Sequence, residues 1–217
     1  MKAVIFDVDG VLVNSEGWHC QAWNQILKPY DIQINKEEYA GKLAGRQGED
    51  IDKDFITEHD LKIPFGKLIT TKEALILEWM KTKEIPLMFY SKEILENLRK
   101  NKKLIGAASS SPADELEVKL KRSGFWNYFS AVTSKDEIKH SKPSPDIYLL
   151  EAKKLGIDPK QAIACEDSSY GVIAAKRAGM KAIAIPNEWS NKQDFSQADY
   201  VVKNLQEAYM ILEKELD

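Results

Sequence analysis

The chain is predicted to fold as an α/β protein, a doubly wound, Rossmann-like parallel sheet interrupted after its first strand by an inserted helical cap domain. Three observations predict it. A short apolar run at positions 3–6, rich in branched and aromatic residues, ends in Asp7, Val8, Asp9 and Gly10, the pattern of a buried parallel strand meeting a loop. Positions 15–88 are helical in periodicity almost throughout. From about position 92, helical runs alternate with short apolar strands, the rhythm of βαβ units.

The elements follow in order. After the first strand, Trp18, Ala22, Trp23, Ile26 and Leu27 make an apolar stripe at helical spacing. Further helical runs are expected at 36–43, 49–58 and 71–81, punctuated by Gly45, Gly48, Pro64 and Gly66. These runs form the cap, which leaves 1–14 and 89–217 as the α/β core. A helix at 92–99 leads to a strand at 104–108, where Ser111 is placed to cap a helix that opens on Pro112. Strands at 131–133, 162–165, 182–185 and 200–202 then alternate with helices at 145–155, 169–178 and 205–216. Gly156 and Gly179 stand where helices end, and Asn204 with Glu207 resembles a capping box.

Composition narrows the function. The 31 basic and 34 acidic residues give a formal net charge of −3, so no basic field is available to hold nucleic acid by counterion release. The two cysteines, Cys20 and Cys165, are far apart, as in a protein of a reducing compartment. No signal-peptide core precedes Asp7 and no apolar stretch is long enough to span a bilayer. A cytoplasmic, monomeric protein without nucleic-acid or membrane partners is expected.

Chemistry-bearing residues gather at the predicted carboxyl ends of strands, where open α/β sheets bind ligands. Strand alternation sends Asp7 and Asp9 to one side, and Gly10 permits the sharp turn that follows. Asp and Gly are also common turn residues, so this motif alone divides evenly between chemistry and a solvated turn. The second strand ends in Ser109, Ser110 and Ser111, whose hydroxyls and backbone N–H groups at a helix start form an anion site. Lys142 lies in a loop stiffened by Pro143 and Pro145. Glu166, Asp167 and Ser168 end the fourth strand, and paired carboxylates suit a hard cation such as Mg²⁺. Acids at two strand ends with hydroxyls and a lysine between them fit phosphoryl transfer.

These segments, 6–11, 108–111, 142–148 and 166–171 in that order, closely resemble the haloacid dehalogenase superfamily of phosphohydrolases. The resemblance is to the helical-cap branch that includes β-phosphoglucomutase and many sugar-phosphate phosphatases. It implies that Asp7 is the nucleophile, forming an aspartyl-phosphate, and that Asp9 is the general acid and base; closure of the cap is expected to raise the Asp9 pKa. Ser109 and Lys142 would hold the phosphoryl oxygens. Mg²⁺ would be bound by the Asp7 carboxylate, the Asp9 backbone carbonyl and Asp167, with Glu166 assisting through water. Substrate contacts are expected from Ser110 and, in the cap, from His19, Gly45 and Arg46.

The expected activity is Mg²⁺-dependent hydrolysis of a small phosphorylated metabolite, a sugar or nucleoside phosphate. The alternatives are a β-phosphoglucomutase-like isomerase and a non-catalytic phospholigand binder, the second of which would not require Asp9. A kinase is disfavoured because no glycine-rich Lys-Ser/Thr loop is present. Against the mutase, its distal-phosphate arginine aligns with Gly48 and its loop lysine with Ala44, leaving only Arg46 or Lys42 as substitutes. Tyr90 and Ser91 replace the proline and glycine that often precede the next helix in relatives.

Overall fold

The computed structural model describes residues 1–216. Six strands form one parallel sheet: β1 (Ala3–Phe6), β2 (Leu104–Ala108), β3 (Ala131–Thr133), β4 (Ala162–Glu166), β5 (Lys181–Ala184) and β6 (Tyr200–Val201), in spatial order β3-β2-β1-β4-β5-β6. The strand β1 is central, with Phe6 level with Ala107 on one side and Cys165 on the other. The order reverses direction between β1 and β4, which opens a crevice at their carboxyl ends. Asp7, Ser109, Glu166 and Asp167 therefore meet there because of strand order and register.

Nine α-helices, α1 (Glu16–Leu27), α2 (Lys36–Glu38), α3 (Gly48–Glu58), α4 (Lys67–Thr82), α5 (Ser91–Lys100), α6 (Ala113–Arg122), α7 (Asp146–Leu155), α8 (Ser169–Arg177) and α9 (Leu205–Leu216), are found among the described residues. Val4, Phe6, Ile105, Ile163 and Ile183 face one side of the sheet, against Ile94 and Leu98 of α5, Leu116 and Leu120 of α6, and Leu205 and Leu212 of α9. Ile5 and a run of alanines, Ala108, Ala162, Ala164, Ala182 and Ala184, face α7 and α8 on the other. Small side chains let those two helices lie close to the sheet. No described helix is long and apolar enough to cross a membrane.

Between β1 and β2 the helices α1 to α4 enclose a separate apolar cluster that includes Trp23, Leu27, Tyr39, Ile51 and Leu68. The segments entering and leaving this insert lie side by side: the Met88 N–H donates to Leu12 O at 3.0 Å and the Asn14 N–H to Pro86 O at 2.8 Å. Several boundaries differ from those expected. The 36–43 run is one α turn continued as a π turn, Tyr39–Leu43. The helix α4 starts at Lys67, four residues before the expected 71, because the buried Asp52 carboxylate on α3 accepts the Gly66 and Ile69 N–H groups at 2.6 and 3.0 Å. Ser111 does not cap α6; Pro112 occupies the cap position and the Ala113 N–H is taken by Asp136 at 2.7 Å. Asn204 does accept the Glu207 N–H at 3.0 Å, but Glu207 reaches Lys203 N rather than completing the box on Asn204.

Glu151, like Asp52, is a buried acid outside the crevice. Glu151 of α7 is fully buried against β2 and β3, where Gly106 leaves it room; a Cβ there would lie 2.4 Å from Glu151 Oε1. Its Oε2 accepts from Thr133 Oγ1 at 2.6 Å, while Oε1 has no partner. Burial outweighs the Thr133 bond and Lys154, pushing this carboxyl up to about 7. A carboxyl whose folded pKa is raised binds its proton more tightly in the folded state, so stability falls as pH rises from the unfolded value toward 7. In urea titrations, Glu151→Gln should remove a decline on the order of 3 kcal/mol between about pH 4.5 and 7; a variant and parent with parallel pH profiles would refute the assignment.

Candidate active site

The crevice sorts its charges into two groups. In the first, Lys142, carried on the loop before α7, places a buried ammonium 2.6 Å from Asp7 Oδ1, 2.6 Å from Glu166 Oε1 and 3.1 Å from Ala108 O. Tyr148, in the first turn of α7, donates to the same Glu166 oxygen at 2.5 Å. Asp167 accepts from Asn187 Nδ2 at 2.7 Å, and the same amide reaches Gly10 O at 3.2 Å. Gly10 has φ 74°, and a Cβ on it would lie 2.1 Å from Asp167 Oδ2, so both its conformation and its space require glycine.

Asp7, Glu166 and Asp167 each offer an oxygen within 4.8 Å of the others. Three buried carboxyls thus lie together, and one ammonium pairs with two of them. Burial pushes Asp7 up to about 7 despite Lys142, with Glu166 and Asp9 adding to the rise. Burial, together with Glu16, Asp7 and Glu166, raises Asp167 well above the ordinary carboxylate range despite Asn187. Lys142 is raised in turn, its partners Asp7 and Glu166 overcoming the opposing effect of burial. A hard, oxygen-only donor set with surplus negative charge fits a divalent cation.

The second group surrounds Asp9. Lys119 of α6, completely buried, reaches Asp9 Oδ1 and Oδ2 at 2.5 and 2.6 Å, Ser111 Oγ at 2.9 Å and Glu115 Oε1 at 3.0 Å. Ser15 also donates to Asp9 Oδ1. His19 Nε2 stands 3.6 Å from the same oxygen, and its Nδ1 is buried without a partner. Burial alone would raise the Asp9 carboxyl, but Lys119, aided by His19, takes it well below the usual carboxylate range. This corrects the expectation of a raised Asp9: the cation that decides its charge is a buried lysine that closes against it. Asp9, His19 and Glu115 also lie close enough to share an ion, but Lys119 already supplies positive charge among them.

The other expected residues divide between these groups and the insert. Ser109 is buried, with Oγ 3.4 Å from Asp9 Oδ2 and accepting the Ser111 N–H at 3.1 Å. Ser110 is exposed and lines the cavity. Gly45 seats the insert on the core; a Cβ there would lie 2.9 Å from Ser168 Cβ. Arg46 borders the cavity, but its guanidinium is bound to Asp54 at 2.6 Å, so it is not the free cation expected of a substrate contact. Lys72 of α4 also lines the cavity and forms no ion pair among the described residues; burial lowers its pKa despite Glu115 and Glu16. Opposite it, Lys135 from the core binds Glu49 of α3 at 2.8 Å and Glu73 of α4 at 2.5 Å, joining insert to core.

Sequence reasoning passed over Lys119, Glu115, Tyr148, Asn187 and Lys72. The only local sign was the i,i+4 pair Glu115 and Lys119, which is ordinary on solvated helix faces. Lys119 differs in lying on the same side of α6 as Leu116 and Leu120, where a charge demands a buried partner.

The chain belongs to the haloacid dehalogenase-like hydrolase family, whose model matches residues 4–185. It is similar to the phosphorylated carbohydrates phosphatase of Thermotoga maritima, 31% identical over 186 residues that cover 84% of each chain. It is also similar to the fructose-1-phosphate phosphatase YqaB of Escherichia coli, 28% identical over 183 residues covering 84% of this chain and 95% of that one. CbbY from Rhodobacter sphaeroides, solved in complex with phosphate, matches with a TM-score of 0.87 and 26% identity across 100% of this chain and 99% of that one. The protein is a phosphoric monoester hydrolase.

The Asn187 amide holds Asp167 Oδ2, and a partner of this kind would fix the carboxylate for a divalent cation. Asn187→Ala should weaken divalent-cation affinity by about 10–100-fold, measured as the Mg²⁺ concentration giving half-maximal phosphate release. An unchanged midpoint would show that Asp167 needs no such support.

Proposed function

We propose that this protein is an Mg²⁺-dependent phosphatase of a small sugar or nucleoside phosphate, acting through an aspartyl-phosphate on Asp7. The observation that carries the reading is the separation of the two acids two residues apart. Asp7 joins the lysine and carboxylates of one group, while Asp9 is held in another. Phosphoryl transfer needs such a division, because the attacking carboxylate must face phosphorus while a different group handles the leaving oxygen's proton.

Asp7 attacks phosphorus through a carboxylate oxygen, forming the acyl-phosphate bond as the ester P–O bond breaks. Lys142 orients Asp7 and draws charge from the phosphoryl oxygens, with Ser109 at the neighbouring strand end. Asp9 first takes up a proton, against the hold of Lys119 that keeps it ionised at rest, and delivers it to the departing alkoxide. It then takes one from the water that opens the aspartyl-phosphate, releasing inorganic phosphate and restoring Asp7. Held as a carboxylate by Lys119, Asp9 rests in the form required for that second step. Asp7, the Asp9 backbone carbonyl and Asp167, with Glu166 beside them, would hold Mg²⁺, which supplies neutralising charge to the transferring group.

Hydrolysis is favoured over isomerisation by the insert. A mutase has to grip a second phosphate, yet Gly48 begins α3 where a Cβ would lie 2.2 Å from Ile69 Cδ1, and Ala44 is buried. Arg46 is already paired with Asp54. The relatives' action on phosphorylated carbohydrates, given in their names, supports a sugar phosphate as substrate. A panel of phosphorylated metabolites assayed with Mg²⁺ for both released phosphate and isomerised product tests the reading; bisphosphate-stimulated isomerisation exceeding phosphate release would overturn it.

Two substitutions test the roles of the acids. Asp7→Asn keeps the shape but removes the nucleophile, so turnover should vanish while the circular dichroism spectrum stays that of the folded protein; a near-normal rate would refute the assignment. Asp9→Asn leaves the backbone carbonyl in place, so kcat should fall by roughly 10²–10⁴-fold with little change in the Mg²⁺ midpoint. A parallel collapse of metal affinity would place the Asp9 carboxyl on the metal instead.

A further inference from the structure

Lys119 is one of the largest fully buried side chains in the protein, and its ammonium is surrounded by functional oxygens. We propose that Lys119 is a positioning residue for Asp9: its ammonium, steered by Glu115 one turn earlier on α6, clasps both carboxylate oxygens and fixes the direction in which Asp9 delivers and accepts its proton. The inference rests on the reading of Asp9 as the acid and base.

Three features support it. Asp9 lies in a loop immediately before Gly10, so no regular structure fixes its side-chain torsions. A single donor contacting both oxygens, at 2.5 and 2.6 Å, fixes the carboxylate's plane as well as its position. The remaining Asp9 contacts come from two sides, Ser111 at 3.0 Å and Ser109 at 3.4 Å from the core, and Ser15 and His19 from the root of the insert. Lys119 lies behind Asp9 and does not line the cavity, whereas Glu115, Ser111 and Asp9 do. It therefore acts on substrate through Asp9. A simple stabilising pair would have been complete with Glu115 alone, at 3.0 Å; the ammonium instead lies closer to Asp9.

The role can be read from leaving-group chemistry. When a positioned acid protonates the departing oxygen, the rate depends weakly on that oxygen's basicity; without it, basic leaving groups become slow. For p-nitrophenyl, phenyl and p-methoxyphenyl phosphates, kcat/KM follows the reaction through the first irreversible step, and the three bind with similar shape. Lys119→Met should lower kcat/KM for phenyl and p-methoxyphenyl phosphate by about 10-fold or more relative to p-nitrophenyl phosphate, with inhibition by inorganic phosphate retained. Asp9→Asn, measured on the same series, should show the same steepening more strongly.

Equal loss on all three substrates in Lys119→Met, beside a steep series in Asp9→Asn, would overturn the positioning role and leave the Asp9 assignment intact. A uniform loss in Asp9→Asn would overturn the acid role and the inference with it. Should Lys119→Met fail to fold because Glu115 is left unpaired, the double variant Glu115→Gln/Lys119→Met carries the same expectation and the same refutation.

Discussion

Crowding of carboxyl groups at the head of the central strand is the constraint around which the structure is arranged. Asp7, Asp9, Glu166 and Asp167 are brought together by strand order and register, and their repulsion inside a buried crevice would be prohibitive if it were left unanswered. Two buried lysines from different elements answer it. Lys142 stands between Asp7 and Glu166, and Lys119 between Asp9 and Glu115. Each ammonium is fully engaged, so neither group can be altered singly without leaving a buried charge exposed to its neighbours. The division also makes two aspartates separated by one residue chemically unlike: one is pushed toward neutrality and the other is held ionised.

Much of the fold was legible because its signals are local. Each strand is a short apolar run, and Gly156 closes its helix in the left-handed conformation that the sequence implied. The acids and the serines could be placed at strand ends, and Lys142 in the stiffened loop before α7, for the same reason. What escaped depends on partners distant in sequence. The helix α4 begins early because Asp52, a residue of another helix, satisfies its first N–H groups. Ser111 has the sequence of a cap, but its hydroxyl is drawn inward by Lys119 and Asp9, and a carboxylate from beyond β3 caps the helix instead. Arg46 offered a free cation in sequence and found Asp54 eight residues away. Nothing local distinguishes Asn187 or Tyr148 from ordinary polar residues until the sheet closes around Asp167 and Glu166.

The insert contributes to the crevice in three chemically different ways. Ser15 and His19 approach Asp9 from its root. Lys72 and the loop around Gly45 form the wall opposite the acids. Glu49 and Glu73 meet Lys135 of the core across the opening. Most of the cations in this wall are neutralised by carboxylates of the same protein, leaving Lys72 as the one without an ion pair among the described residues.

The paired entry and exit of the insert have a consequence for how such proteins diversify. Because Leu12 and Asn14 are hydrogen-bonded to Met88 and Pro86, the two ends of a long excursion are already adjacent. Lengthening, trimming or replacing everything between them changes the entropy of closing the loop only slowly with length. The helices enclose an apolar cluster of their own, so a substitute module brings its own interior. The ribbon at residues 12–14 and 86–88 is thus a junction at which the insert can change length while the sheet that carries Asp7, Glu166 and Asp167 keeps its register.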